Sequence, residues 1–150
     1  MSDNWTVIPR ILERMHRLFL DLLQTEMTSM GIQDLAAVQM FLLLDIGEDE
    51  ISLKDLLMRG HYQRSAVLNQ VRKLAESGHI EQSRAGHDRR AVRLKLTPEV
   101  AKICNDVRQR LVQVEATYGA HLQGDDIGQA LRTLRRIERG WEDTIREHGV

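Results

Sequence analysis

The sequence predicts a mainly α-helical α+β chain, with long amphipathic helices at both ends and a cluster of shorter helices closed by one β-hairpin between them. Three observations predict it. Apolar residues recur three and four apart through Trp5–Met30, Val100–Tyr118 and Ile127–Ile145, which is the period of one helix face. The period drops to two at Ile80–Ser83 and Ala91–Leu96, where Val92, Leu94 and Leu96 alternate with Arg93 and Lys95. Stop and start signals separate these segments, among them Gly31, Gly60, Gly78 and the pair Thr97-Pro98.

Each element has its own justification. In Trp5–Met30 the apolar positions are Trp5, Ile8, Leu12, Met15, Phe19, Leu22 and Leu23, widened by Ile11 and Leu18. Pro9 has no backbone N–H, so a helix start near Ile8 is expected. Gln33–Ile46 reads as a second helix, apolar on every side in its middle and therefore central to the core. Ile51 is a short extended piece, and Ser52 with Asp55 three residues on opens a short helix through Met58. Gln63–Ser77 is a helix with Val67, Val71 and Leu74 inward and Ser65, Leu68, Asn69 and Arg72 on the other face. The two strands follow, joined by a polar link from Arg84 to Arg90 that carries three arginines. Thr97 as N-cap and Pro98 as first residue start the helix bearing Val100, Ile103, Val107, Leu111, Val114 and Tyr118. Asp125 or Asp126 caps a last helix striped by Ile127, Leu131, Leu134, Ile137, Trp141 and Ile145.

Helix, short helix, turn, helix and two-stranded hairpin make a winged helix-turn-helix, with Gln63–Ser77 in the place of a recognition helix. The expected organisation is a single domain over residues 1–150. Its DNA-binding lobe spans about 33–97, and dimerisation helices span about 5–30 and 98–148. The two terminal helices carry more apolar face than so small a lobe can cover, so a two-fold homodimer is expected.

Composition narrows the class further. The chain has 150 residues, 42% hydrophobic and 29% charged, ordinary for a folded globular protein and unlike a disordered one. The longest apolar run, Met40 to Leu44, is too short for a membrane span, so no membrane partner is expected. One cysteine, Cys104, excludes an internal disulfide and a Cys-based zinc finger. Without a basic segment followed by an apolar one at the N-terminus, a cytoplasmic location is expected. The net charge of −1 hides an asymmetry: Arg59 to Lys95 holds nine Lys/Arg against three Asp/Glu, which is +6 and leaves −7 for the rest. A basic face on an acidic body is an electrostatic footprint for a polyanion such as double-stranded DNA.

The residue types fit that partner. Gln63, Arg64, Ser65, Leu68, Asn69 and Arg72 form a face of small, polar or forked side chains able to reach base edges in a major groove. Arg64 and Arg72 can fork onto guanine or clamp phosphate, Asn69 can pair bidentately with adenine, and Leu68 can meet a thymine methyl. Arg89 and Arg90 can enter a minor groove, and Arg93 can supply phosphate affinity. Six scattered histidines include no His-x3-His pair, so no metal is expected, and no cofactor. Neither G-x-S-x-G nor a phosphate-binding glycine loop occurs, so an enzyme is not expected.

The residues now in view resemble the MarR family of bacterial transcription regulators. The family's wing pattern, D-x-R followed by five residues and L-T, stands here as Asp88-Arg89-Arg90, Ala91 to Lys95 and Leu96-Thr97. The recognition-helix landmarks stand as Val67, Val71, Leu74, Gly78 and Ile80, and the helix order fits along nearly the whole chain. Where many members have glycine two residues after the Pro98 position, this chain has Val100. The resemblance implies a homodimeric regulator, a repressor by expectation, on a pseudo-palindromic operator. It also implies that Arg90 inserts into DNA and Asp88 shapes the wing tip. Effectors of the family are often aromatic acids held beside the dimerisation helices, where Arg14 and His16 could meet a carboxylate. Peroxide-sensing members use a cysteine in the first helix, which this chain lacks; Cys104 falls on an apolar stripe and is expected to be a buried, inert thiol. The competing reading is a winged-helix module that binds protein without DNA. The concentration of positive charge in the middle of the chain favours DNA.

Overall fold

In a computed structural model the chain forms two compact units, Met1–Val112 and Gln113–Val150. The structure describes residues 3–60, 63–85 and 88–149, and of residues 85 and 88–90 the backbone alone.

In the first unit the order is α1 (Asn4–Ser29), α2 (Ala37–Ile46), β1 (Ile51–Ser52), α3 (Leu53–Met58), α4 (Arg64–Glu76), β2 (Ile80–Ala85), β3 (Asp88–Leu96) and α5 (Pro98–Tyr118), whose last turns run into the second unit. The helix-turn-helix and its wing stand where the pattern placed them. β3 is the middle strand of an antiparallel sheet of order β1-β3-β2, with Ile51 opposite Leu94 and Ile80 opposite Leu96. One core joins these elements: Leu23 and Met27 from α1, Met40 and Leu43 from α2, Leu56 from α3, Val67, Val71 and Leu74 from α4, Leu94 from β3, and Cys104 and Val107 from α5. The alternation read in β3 holds, since Leu94 and Leu96 are buried and Lys95 is exposed. Half of α2 is fully buried and none of it is exposed, as its lack of a polar face requires.

Several boundaries differ from expectation. α1 begins at Asn4, upstream of Pro9. Pro9 is thus the sixth residue of α1, inside the helix, where it cannot donate a backbone hydrogen bond, and in the same turn the Arg10 side chain donates to the Thr6 carbonyl at 3.1 Å. α2 begins at Ala37, not Gln33. Side-chain acceptors fix that start: Gln39 Oε1 takes the Ala36 N–H at 3.0 Å, and Gln24 Oε1 from α1 takes the Ala37 N–H at 3.2 Å. The strands are longer than their alternation suggested, and Arg84, Arg89 and Arg90 belong to strands, not to a loop. Thr97 precedes α5 as expected, but its hydroxyl donates to the His79 carbonyl at 3.2 Å.

Two helix ends are closed by glycine in the left-handed region. Gly31 (φ 79°) and Gly78 (φ 77°) follow the caps of α1 and α4. In each, the next residue donates back across the turn, Ile32 to Met27 and His79 to Leu74, both at 2.9 Å, which is the Schellman arrangement.

In the second unit a short 3-10 turn, Gly119–His121, leads to α6 (Asp126–Glu147). Asp125 occupies the N-cap position without a side-chain capping bond and instead accepts from Arg132 at 2.8 Å. No residue of α6 is buried, although its apolar stripe is as read from the sequence.

Candidate nucleic-acid interface

The core fixes the rotation of α4. Val67, Val71 and Leu74 are 1–2% exposed and share one face, so Leu68, Asn69 and Arg72 between them turn away from it. Gln63, Arg64, Ser65 and Arg72 are exposed, and Leu68 and Asn69 are half-buried. Ser65, Leu68, Asn69 and Arg72 therefore lie on the side of α4 away from its core stripe, whereas Gln63 and Arg64, four and three residues before Val67, are exposed at the start of the helix. Gln63 is the N-cap, and its side chain makes no capping bond. Helix N-termini carry partial positive charge, and this one starts with Arg64.

Along α4 the polar side chains are not independent. Arg72 Nη2 donates to Asn69 Oδ1 at 2.7 Å. The expected bidentate pairing of Asn69 with adenine uses that same oxygen as acceptor. On the other flank, Gln70 Oε1 accepts from Gln39 of α2 at 3.2 Å, which ties the recognition helix to the central helix.

The wing supplies the second part. From Ile80↔Leu96 to Arg84↔Val92 the register is regular, and then Ala85 pairs with Asp88. Between those last two pairs β3 spends three residues, Arg89, Arg90 and Ala91, where β2 spends none. This irregularity places the backbone of both arginines in a bulged stretch at the distal end of the hairpin, where pairing no longer dictates direction. The side chains of Asp88, Arg89 and Arg90, and the turn residues 86 and 87, lie outside what is described, so the proposed insertion of Arg90 and the shaping role of Asp88 rest on the sequence pattern.

Arg93 is half-buried and not extended into solvent. Its Nε donates to Glu50 Oε2 at 3.1 Å, and Ser83 Oγ donates to Glu50 Oε1 at 3.4 Å. One carboxylate before β1 thus braces both strands of the wing. Linear sequence offered no signal for Glu50, which sits in an acidic turn and reads as solvated charge. Lys54 was missed for a similar reason. It lines, with Arg64, Leu57, Met58, Ala91 and Val92, a groove of about 750 Å³ between α3, the start of α4 and β3. Only the fold brings Lys54 and Arg64 together.

The residues proposed for an effector do not converge. Arg14 and His16 are two apart on α1 and so point to different sides. Arg14 is exposed, whereas His16 is half-buried, its ring 5.8 Å from that of Phe41. Phe19 meets Phe41 edge-on at 5.1 Å. Cys104 is fully buried, and burial pushes its thiol up to about 11 against the opposing pull of Arg108, as expected for an inert thiol. No helix among the described residues is long and apolar enough to cross a membrane.

Known proteins share this arrangement. The winged helix DNA-binding domain family matches residues 35–99, which run from before α2 to the start of α5. The chain is 33% identical over 141 residues to the exopolysaccharide II synthesis transcriptional activator ExpG of Rhizobium meliloti, covering 93% of this chain and 72% of that protein. Among solved structures it resembles AbsC, a MarR family transcriptional regulator from Streptomyces coelicolor, with a TM-score of 0.72 at 16% identity, over 95% of this chain and 97% of that one. It also resembles a mutant MarR from E. coli complexed with operator DNA, with a TM-score of 0.65 at 23% identity, over 91% and 99%. The wing pattern, the order of elements, the extent of the curated relative and these folds agree: the chain belongs to the MarR family of winged-helix, DNA-binding transcriptional regulators.

Proposed function

We propose that the protein acts as a cytoplasmic homodimer that binds a pseudo-palindromic operator through α4 and the wing, and that a small aromatic acid releases it. The observation that carries the reading is the outward polar face of α4, held by a fully buried stripe and flanked by a wing whose distal end is arginine-rich. A two-fold dimer presents two such faces, and successive major grooves on one side of B-DNA lie roughly 34–36 Å apart. Repression was the expectation from the resemblance, while the relative ExpG is an activator by name. The same DNA-binding surface serves both: an operator overlapping the polymerase site represses, and one upstream of it activates.

Gel shifts with duplexes from the region beside the protein's own gene test the binding claim. Specific binding should show a steep linear fall of log K with log salt, and Arg90→Ala should weaken it strongly while the fold persists. Failure to bind any duplex would instead fit a protein-docking wing.

The effector part rests on His16 and not on an Arg14–His16 pair, because those two side chains diverge. An aromatic acid would stack in the cluster of His16, Phe19 and Phe41. It shifts the dimer toward a spacing unfit for the operator only by as much as it prefers that state. Salicylate titrated calorimetrically into the free protein and into its operator complex should bind the free protein more tightly. Equal affinities would exclude this mechanism for that ligand.

A further inference from the structure

We infer that Lys54 and Arg64 clamp one backbone phosphate of each half-site, in the groove between α3, the start of α4 and β3, so that Arg64 is a phosphate ligand and not a base reader. This inference rests on the reading of α4 as the major-groove helix and of the wing tip as the minor-groove element. One sugar-phosphate strand separates the major groove of a duplex from the adjoining minor groove. With α4 in the first and the distal end of the wing in the second, that strand must cross the surface joining the start of α4 to β3. The surface there is the groove of about 750 Å³ lined by Lys54, Arg64, Leu57, Met58, Ala91 and Val92.

Charge singles this groove out. Lys54 and Arg64 are exposed, and among the described residues neither has a hydrogen-bond or ion-pair partner. No carboxylate among the described residues lines the groove. An adjoining groove of about 470 Å³ is different: Glu50 and Asp55 line it together with Arg59 and Arg93, so its charges balance. Arg93 is held by Glu50 at 3.1 Å, and Arg59 lies 4.0 Å from Asp45. Two cations lining one cleft without a counter-charge repel each other, and an anion seated between them turns that repulsion into two attractions. A guanidinium and an ammonium are both phosphate ligands, the first as a fork and the second as a point charge. The apolar lining fits the rest of the strand. Phosphates alternate with deoxyribose rings, whose C–H faces can pack on Val92 and on Met58, which is 76% exposed at the rim. Helix geometry turns Arg64 the same way. Three residues before Val67, it lies nearer the core stripe than the outward face bearing Ser65, Asn69 and Arg72, and so borders the groove and not the base edges.

The test uses the full-length protein and a duplex selected from a randomised pool by gel shift, in which one phosphate at a time is replaced by an uncharged methylphosphonate. At one position in each half-site the replacement should weaken wild-type binding by about tenfold, the scale of a charge-assisted contact. Lys54→Gln and Arg64→Gln should each weaken binding to all sequences alike, flatten the fall of log K with log salt, and leave the preferred base at every position unchanged. Each variant should respond less than the wild type to that methylphosphonate, and the double variant should not respond to it at all. Both side chains are exposed, and unchanged thermal unfolding verifies the fold. A base preference altered in Arg64→Gln overturns the inference, because it makes Arg64 a base reader. A double variant as sensitive as the wild type to every methylphosphonate overturns it as well. Failure of the wild type to bind any duplex defeats instead the assignment of α4 as recognition helix.

Discussion

Burial decides what Cys104 can do. A thiol reacts as thiolate, and a pKa pushed up to about 11 leaves almost none at neutral pH, in a side chain that no reagent can reach. Iodoacetamide at pH 8 should therefore label Cys104 only as fast as the protein unfolds, and rapid labelling of the native protein would contradict the burial. The same shift has a definite sign for stability. The folded state holds the proton more tightly than the unfolded chain, whose thiol titrates near 9.0. Stability from this group is intact below about 9 and is lost as pH rises toward about 11, by roughly 2–3 kcal/mol. Melting curves of wild type and Cys104→Ala at pH 8 and pH 10.5 should differ in their alkaline slope, and parallel slopes would remove the effect. Glu50 offers a second case. It is 45% exposed and Arg93 38%, so their pair contributes at most about 1 kcal/mol to folding. Glu50→Gln should leave the melting point nearly unchanged while freeing the Arg93 cation. Operator binding should then steepen in log salt by up to about one unit. An unaltered slope would make Arg93 a strut of the wing and not a phosphate contact.

At the level of elements, local signals were legible where one residue or one period sets the structure. The stripes Val67-Val71-Leu74 and Leu94-Leu96, the Ser52–Asp55 cap at 3.0 Å and the glycine stops all read directly. The start of α2 did not, because it depends on Gln24 of another helix. Nor did the length of the hairpin: its outermost paired residues include Arg84, Ala85 and Asp88, poor strand formers that pair because the inner strands align them. The site divides in the same way. The outward face of α4 follows from periodicity, whereas the Asn69–Arg72 bond, the Glu50 brace and the meeting of Lys54 with Arg64 depend on side-chain geometry or on chain segments far apart. Gly78 gives a clean test of the local part. A Cβ built there meets nothing within 4 Å, so Gly78→Ala costs only the strain of φ 77° in an L residue, about 1–2 kcal/mol. Urea unfolding should show a lower midpoint with the same slope. An unchanged midpoint would mean that the α4 cap contributes nothing measurable.

On the scale of the whole molecule the question is what covers the apolar faces. In the first unit, Trp5, Met15 and Leu18 of α1 are 57–62% exposed. In the second, no residue of α6 is fully buried: Leu134 and Ile137 are half-buried, and Ile127, Leu131, Trp141 and Ile145 of the same stripe are exposed. Soluble monomers rarely display contiguous apolar surface on this scale. The stripe on α6 recurs three and four apart, as a helix packed against another helix requires, and its other faces carry arginine and carboxylate side chains suited to water. The proposed homodimer accounts for both faces by pairing two copies through them. If folding and association are linked in this way, stability must rise with protein concentration. Thermal unfolding at about 1 and 100 μM should therefore give a higher midpoint at the higher concentration, and sedimentation should show a dimer. Leu131→Glu, which sets a charge in the middle of the α6 stripe, should shift the sedimenting species to monomer and abolish tight operator binding. Weak, salt-dependent binding to any duplex should remain, because the face of α4 is untouched. A wild-type chain that sediments as a folded monomer at 100 μM, with a melting point independent of concentration, would end the dimer reading and with it the paired half-sites.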